Sequence, residues 1–190
     1  MKLSLICPCY NEEKNIYNFY DACVRAFENK VESYEFVFIN DGSKDDTWKK
    51  LMELFDTHSC IKLINFSRNF GKEAAMYAGL EKAEGEFIAI IDTDLQQPPE
   101  KVVEMLEILD GDPDLDCVAA YQEKRREGKL LSTLKGVFYK TISKMSEINF
   151  QSGASDFRTF RRNVRDAILS LGEYHRFLKG IFSWVGFNTC

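Results

Sequence analysis

Four short apolar runs, Leu3–Cys7, Tyr34–Ile39, Ile61–Phe66 and Phe87–Ile91, mark the first half of the chain, and each opens into polar residues at its C-terminal end. Between them lie segments of helical length. The stretch from Asp45 to Thr57, for example, places Trp48, Leu51, Leu54 and Phe55 at inward helical positions. Strands that alternate with helices in this way predict βαβ units and a mostly parallel central sheet flanked by helices, an α/β fold. Open sheets of that kind bind ligands at the carboxyl edge of their strands, where the polar residues fall.

The fourth run carries the sharpest chemistry. Phe87-Ile88-Ala89-Ile90-Ile91 leads straight into Asp92-Thr93-Asp94, and Leu95-Gln96-Gln97-Pro98-Pro99-Glu100 closes the turn. Two carboxylates at the mouth of a sheet repel each other and lose solvation unless a cation or hydrogen-bond donors compensate, so hard oxygen ligands there suggest Mg²⁺ or Mn²⁺. The plain alternative is that both acids cap the helix after Pro98. Asp92 lies several residues too early for that.

The other strand ends follow the same pattern. Pro8 breaks the first strand, and Tyr10-Asn11-Glu12-Glu13 is expected to open a helix reaching about Asn29, with Asn11 as its cap. The second strand ends in Asn40-Asp41-Gly42-Ser43; the third ends in Ser67-Arg68-Asn69-Phe70-Gly71-Lys72 and a helix through Ala83. A helix over 99–109 leads to a fifth strand near Asp116–Tyr121. A charged loop, Gln122 to Lys129, then precedes an amphipathic helix to about Met145 with Leu130, Leu131, Leu134, Val137, Phe138 and Ile142 on its apolar stripe. That stripe packs on the sheet or, in part, meets a lipid headgroup zone. Asp156 is expected just before a short strand, Asn163–Leu171 is helical, Tyr174–Val185 carries Arg176 and Lys179, and the chain reaches Cys190 as another strand begins.

One domain is the expectation for 190 residues, a length that supports a core without disulfide staples. We divide it into an acidic part, 1–120, expected to hold a nucleotide, and a basic part, 121–190, expected to continue in the natural protein. No signal-peptide pattern or membrane-length apolar run is seen, so the expected location is cytoplasmic or the cytoplasmic face of the cell membrane. Six cysteines without a CxxC pair, and two unclustered histidines, argue against zinc; Cys7 and Cys9, two apart in a strand, serve as apolar fillers. Net charge is −5, but residues 1–120 hold 12 Lys and Arg against 24 Asp and Glu, whereas 121–190 hold 13 against 6. That segregation points to phosphates or an anionic membrane surface, or to a solvated basic helix face. Nucleic acid is not an expected partner, and a homo-oligomer is left open. The GxGxxG and GxxxxGK[ST] fingerprints are absent, which weakens hydride transfer and ATP hydrolysis.

Taken together, Pro8-x-Tyr10-Asn11-Glu12, Asn40-Asp41-Gly42-Ser43 with Asp46 and Thr47, Arg68-Asn69-Phe70-Gly71, Asp92-x-Asp94-Leu95-Gln96-x-Pro98-Pro99-Glu100 and Gly153-Ala154-Ser155-Asp156-Phe157-Arg158 resemble family-2 glycosyltransferases of the GT-A fold. The likeness is strongest to polyprenyl-phosphate glycosyltransferases, similar to dolichyl-phosphate mannose synthase and bactoprenol glucosyltransferases. It covers nearly the whole chain. Two departures stand out. Gln97 occupies a position where the family has Asp, His or another polar residue, expected to change little. Tyr121-Gln122-Glu123 stands where the family carries an arginine, so that Arg125 or Arg126 would take over.

The resemblance implies a metal-dependent, inverting transfer of a hexose from a nucleotide diphosphate sugar, UDP-linked by expectation, to a polyprenyl phosphate at the cytosolic membrane face. Asp94 and Gln96 would hold Mg²⁺ or Mn²⁺, with Asp92 on the ion, its water or the ribose. Asp41 would accept from the nucleobase, Pro8, Tyr10, Asn11 and Glu12 would wall the nucleoside, and Arg68 and Lys72 would contact the nucleotide. Asp156 is the implied base. A phosphate monoester has a second pKa of about 6 and needs little deprotonation, so Asp156 would orient the acceptor while Arg125, Arg126, Arg158, Arg176 and Lys179 hold its phosphate. Two alternatives stay open: a soluble or growing saccharide acceptor, for which Asp156 must act as a true base, and a non-catalytic nucleotide-sugar-binding scaffold.

Overall fold

A computed structural model describes residues 2–121, 154–171 and 178–190. Its six strands are β1 (Lys2–Cys9), β2 (Ser33–Asn40), β3 (Ile61–Asn65), β4 (Phe87–Ile90), β5 (Cys117–Tyr121) and β6 (Ala154–Arg161). The described helices are α1 (Ile16–Phe27), α2 (Thr47–Thr57), α3 (Lys72–Lys82), α4 (Glu100–Gly111), α5 (Arg162–Ser170) and α6 (Leu178–Trp184).

The sheet has the order β3-β2-β1-β4-β6-β5. Strands β1 to β4 are parallel, as expected, and β6 enters antiparallel between β4 and β5. Alternate residues of each strand feed two apolar layers. Leu3, Leu5, Phe36, Phe38, Ala89 and Phe157 pack under α1, α2 and α4; Ile6, Val37, Ile39, Ile88, Ile90 and Phe160 pack under α3, α5 and α6. Cys7 and Cys9 fill the first layer, as expected. Burial on both faces explains why β1, β2 and β4 read as unbroken apolar runs.

Several local expectations are corrected. Helix α1 begins at Ile16 with Asn15 at its N-cap, six residues after Tyr10. Asn11 instead adopts φ 57°, a left-handed conformation that asparagine tolerates, and turns the loop away. Phe55 is 46% exposed, while Leu51 and Leu54 are buried: α2 lays a narrower stripe on the sheet than the spacing suggested. Asp156 lies inside β6, because the strand starts at Ala154. Residues 188–190 run beside β5, with a bridge between Cys117 and Thr189 and a hydrogen bond from the Ala119 amide to the Cys190 carbonyl, 2.9 Å. The amphipathic stretch to Met145 lies outside the described residues.

Arg161, Arg162 and Arg165 have structural duties. Arg161 donates to the carbonyls of Leu115, just before β5, and Leu109, in the last turn of α4; Arg162 donates to those of Gly85 and Glu84, and Arg165 to that of Leu80 near the end of α3. Part of the charge of the basic C-terminal part is thus engaged with backbone carbonyls.

Candidate active site

The loops at the carboxyl edge of the sheet are fastened to one another in series. From the loop after β1, the Asn11 amide donates to Ser43 Oγ (3.0 Å), Asn11 Oδ1 accepts from the Lys44 amide (2.9 Å) and the Glu12 amide donates to Thr47 Oγ1 (2.7 Å). The loop after β2 is tied onward to the loop after β3. Asp41, only 3% exposed, accepts the Phe70 amide on Oδ1 (2.7 Å) and the Gly71 amide on Oδ2 (3.0 Å). Gly42 has φ 66°, and a Cβ there would come within 2.3 Å of the Arg68 carbonyl carbon, so the two loops can approach this closely only with glycine.

Lys72, the first residue of α3, carries the series across the sheet. Its Nζ lies 2.7 Å from Asp92 Oδ1 and 3.2 Å from Asp156 Oδ2. Strand register explains the meeting: Ile90 pairs with Arg158, and two further residues in antiparallel sense set Asp156 across from Asp92. Burial works against the Lys72 charge, but hydrogen bonds and Coulomb attraction from Asp92 and Asp156 outweigh it and raise its pKa above the ordinary lysine value.

Gln97 holds Asp92 from the other side. Its Oε1 accepts the Asp92 amide (3.0 Å) and its Nε2 donates to Asp92 Oδ2 (3.2 Å). The sequence offered no signal for this pairing, because it arises from a five-residue loop closure; the expectation that Gln97 changes little missed it. Asp94 Oδ1 accepts the Gln96 amide (3.0 Å), and Leu95 between them is held at φ 60°, a conformation that costs a non-glycine residue about 1–2 kcal/mol. Helix α4 has Pro99 at its N-cap with no side-chain capping bond, so neither Asp92 nor Asp94 is a cap.

The remaining expected residues are distributed along this edge. Pro8 is half-buried and Tyr10 42% exposed at the end of β1. The Glu12 carboxylate accepts from Asn15 Nδ2 (2.7 Å). The Arg68 guanidinium lies over the exposed Phe70 ring, 4.8 Å from its centroid. Arg158 is 5% exposed beneath Phe182 of α6, 4.1 Å from that ring, and donates to the Ser155 carbonyl (2.8 Å) while its Nε has no partner among the described residues. Burial is the main cause of a lowered Arg158 pKa. Lys179 falls on α6; Arg125, Arg126 and Arg176 lie outside the described residues.

The donor set fits a hard divalent ion. No group of three or more His, Cys, Asp or Glu side chains forms a closed cage among the described residues. Magnesium-type sites need only one or two carboxylates when waters and substrate phosphates complete the shell, and Asp92 and Asp94 supply that much.

A family model described as "Glycosyl transferase family 2" matches residues 4–169. The chain is 39% identical over 186 residues to "Putative glycosyltransferase CsbB" of Bacillus subtilis, covering 98% of this chain and 56% of that protein. It is 40% identical over 191 residues to "Prophage bactoprenol glucosyl transferase homolog" of Escherichia coli, covering 100% and 61%. It therefore spans less than two thirds of the length of these relatives. Among solved structures, it resembles the mannosyltransferase PcManGT of Pyrobaculum calidifontis in complex with GDP-Man and Mn²⁺ (TM-score 0.69, 19% identity, 98% of this chain and 53% of the other). It also resembles S. aureus TarS in complex with UDP-GlcNAc (TM-score 0.67, 18% identity, 100% and 56%). These likenesses establish the fold as GT-A. Among the described residues, no helix is long and apolar enough to cross a membrane.

Proposed function

The chain belongs to glycosyl transferase family 2, and from that premise we propose that it moves a hexose from a nucleotide diphosphate sugar, UDP-linked, to a polyprenyl phosphate at the cytosolic face of a membrane. Residues 1–120 form the donor part and 121–190 the acceptor part of one domain. The observation that carries this reading is the convergence on Lys72. Asp92, at the exit of β4 beside the proposed metal loop, and Asp156, from β6, come within 2.7 and 3.2 Å of one nitrogen. Transfer between two substrates needs both held in one place, and this is where a donor-side acid meets an acceptor-side acid. The acceptor class is supported by the relatives' names, which include bactoprenol glucosyl transferases.

Pro8, Tyr10, Asn11 and Glu12 wall the nucleoside, and Asp41 keeps the loop of Arg68 and Phe70 against it. Asp94, Gln96 and Asp92 would hold Mg²⁺ or Mn²⁺, which would supply charge neutralisation at the leaving diphosphate. Lys72, beside Asp92, would stabilise the same developing charge. Asp156 orients the acceptor, whose phosphate is largely ionised near neutral pH, so that its oxygen attacks the anomeric carbon as the bond to the diphosphate breaks. Inversion follows from that single displacement. Arg158, two residues from Asp156 on β6 and with no Nε partner among the described residues, is a candidate to hold the acceptor phosphate.

The test is release of UDP from a UDP-hexose with Mn²⁺, measured with and without a short-chain prenyl phosphate. Lipid-dependent release is the expected result. Transfer to a soluble saccharide with none to prenyl phosphate would overturn the acceptor assignment, and tight UDP binding with no turnover on any acceptor would favour a scaffold.

A further inference from the structure

Lys72 stands where a cation shared by Asp92 and Asp156 would stand. Its ammonium contacts Asp92 on both oxygens, at 2.7 and 2.9 Å, and Asp156 on Oδ2 at 3.2 Å. It reaches this point from the first turn of α3, immediately after Gly71, whose φ of 95° starts the helix and whose amide is held by Asp41. The side chain is 40% exposed, so its far end has room to leave. Asp92 is restrained independently of the lysine by Gln97.

We propose that Lys72 is a built-in counter-cation of the Asp92–Asp156 pair: it competes with the divalent ion for Asp92 and passes to the diphosphate when metal and nucleotide enter together. This deepens the donor-site reading and rests on it. A lysine placed only to grip the nucleotide has no reason to join two carboxylates across two strands. The arrangement makes binding ordered in effect. Metal alone must displace an ammonium at a cost, whereas metal carrying a diphosphate offers that ammonium new oxygen partners. Lone divalent ions are thereby disfavoured at the site, and the pair of acids is never left facing each other without positive charge.

The deciding measurement is calorimetric titration of Mn²⁺ into the protein without nucleotide, comparing wild type with Lys72→Met and Lys72→Arg. Competition predicts that Lys72→Met binds Mn²⁺ alone at least about tenfold more tightly than wild type, since a unit charge a few ångströms away is removed and solvent screening reduces but does not abolish its effect. Lys72→Arg, which keeps the charge, is expected to stay within about threefold of wild type. In the same variants, affinity for UDP in the presence of saturating Mn²⁺ is expected to fall in Lys72→Met. Equal Mn²⁺ affinity in wild type and Lys72→Met would overturn the proposal, and so would weaker binding by Lys72→Met, the sign of a lysine that merely orients its carboxylates. If wild type failed to bind UDP with Mn²⁺ at all, the donor-site reading would fall instead, whatever the Lys72 variants did with metal alone.

Discussion

The two edges of the sheet carry charge clusters built from the same residue types and organised in opposite ways. At the amino edge, Glu35 on β2 is 6% exposed and accepts from Ser4 Oγ (2.5 Å) and the Glu84 amide (2.8 Å). Lys62 reaches both Glu35 and Glu84 at 3.0 Å, and Lys2 joins them at 3.5 and 3.4 Å. Two acids face two lysines, and backbone amides fill the remaining places. At the carboxyl edge, one lysine serves Asp92 and Asp156 at once, and Asp94 accepts the Gln96 amide. The first cluster answers all of its own electrostatic demand. The second sets two acids on one lysine among the described residues, and that difference separates a structural clasp from a candidate active site.

The sharpest way to break the comparison is to alter one acid at each edge. Asp94→Asn keeps an oxygen for the Gln96 amide, so the fold should lose no more than about 0.5 kcal/mol, while turnover should fall by about 10²- to 10³-fold. Steady-state UDP release and a thermal melt on one preparation check both halves. Glu35→Gln should do the reverse. It leaves the lysines without their buried partner and should cost about 3 kcal/mol, or roughly 6–12 °C in Tm, with the turnover of the folded protein unchanged. Burial raises the Glu35 pKa, but hydrogen bonds from Ser4, the Glu84 amide and Lys62, with the Lys62 charge, bring it below the ordinary value. A lowered folded pKa means stability that is present above the ordinary glutamate range and is lost as pH falls through the folded value. The stability gap between wild type and Glu35→Gln should therefore narrow progressively below about pH 4.3. A gap that holds constant through the acid range would place the stabilisation outside this carboxylate.

The amino-edge cluster was not legible in the sequence, and the reason is physical. Ser4, Glu35, Lys62 and Glu84 come from four segments and look like ordinary strand and turn polarity until parallel register stacks them. The carboxyl edge was partly legible because function there is written locally: Asp92-Thr93-Asp94 follows an apolar run, and each polar turn follows its strand. Periodicity and burial placed β1 to β4 and their parallel sense correctly. The entry of β6 between β4 and β5 was hidden, since strand order is not carried by the periodicity of a segment. Without that order, Asp156 could not be brought to Lys72, nor could the basic residues that bind carbonyls, Arg161, Arg162 and Arg165, be told from the rest of the basic C-terminal part. Asp41 was legible as important and incompletely as to why, because its bonds to the Phe70 and Gly71 amides reach across 29 and 30 residues.

Asp41→Ala sharpens the comparison at intermediate size. It leaves two amide donors without their acceptor, at a cost of about 1–3 kcal/mol, and frees the loop that positions Lys72. Hydrogen exchange at the Phe70 and Gly71 amides should accelerate well beyond the change in global stability, and affinity for UDP should fall with it. If exchange at those two amides tracked global unfolding alone, Asp41 would not be fastening the loop.

Gln97 gives the smallest expected effect and the finest discrimination, because it touches Asp92 through both its amide atoms. Gln97→Ala removes both bonds while Lys72 continues to hold the carboxylate, so the fold should survive and turnover should fall about tenfold, the scale of one misplaced ligand. Gln97→Glu keeps an oxygen for the Asp92 amide but replaces the donor with a second negative charge beside Asp92. Repulsion should draw positive charge more strongly to the loop. Affinity for Mn²⁺ alone should then rise in Gln97→Glu and fall in Gln97→Ala, provided that Asp92 serves the metal. If both variants weakened Mn²⁺ equally, the contribution of Gln97 would be packing of the loop, and the carboxyl edge would depend on charge balance less than its contrast with the amino edge implies.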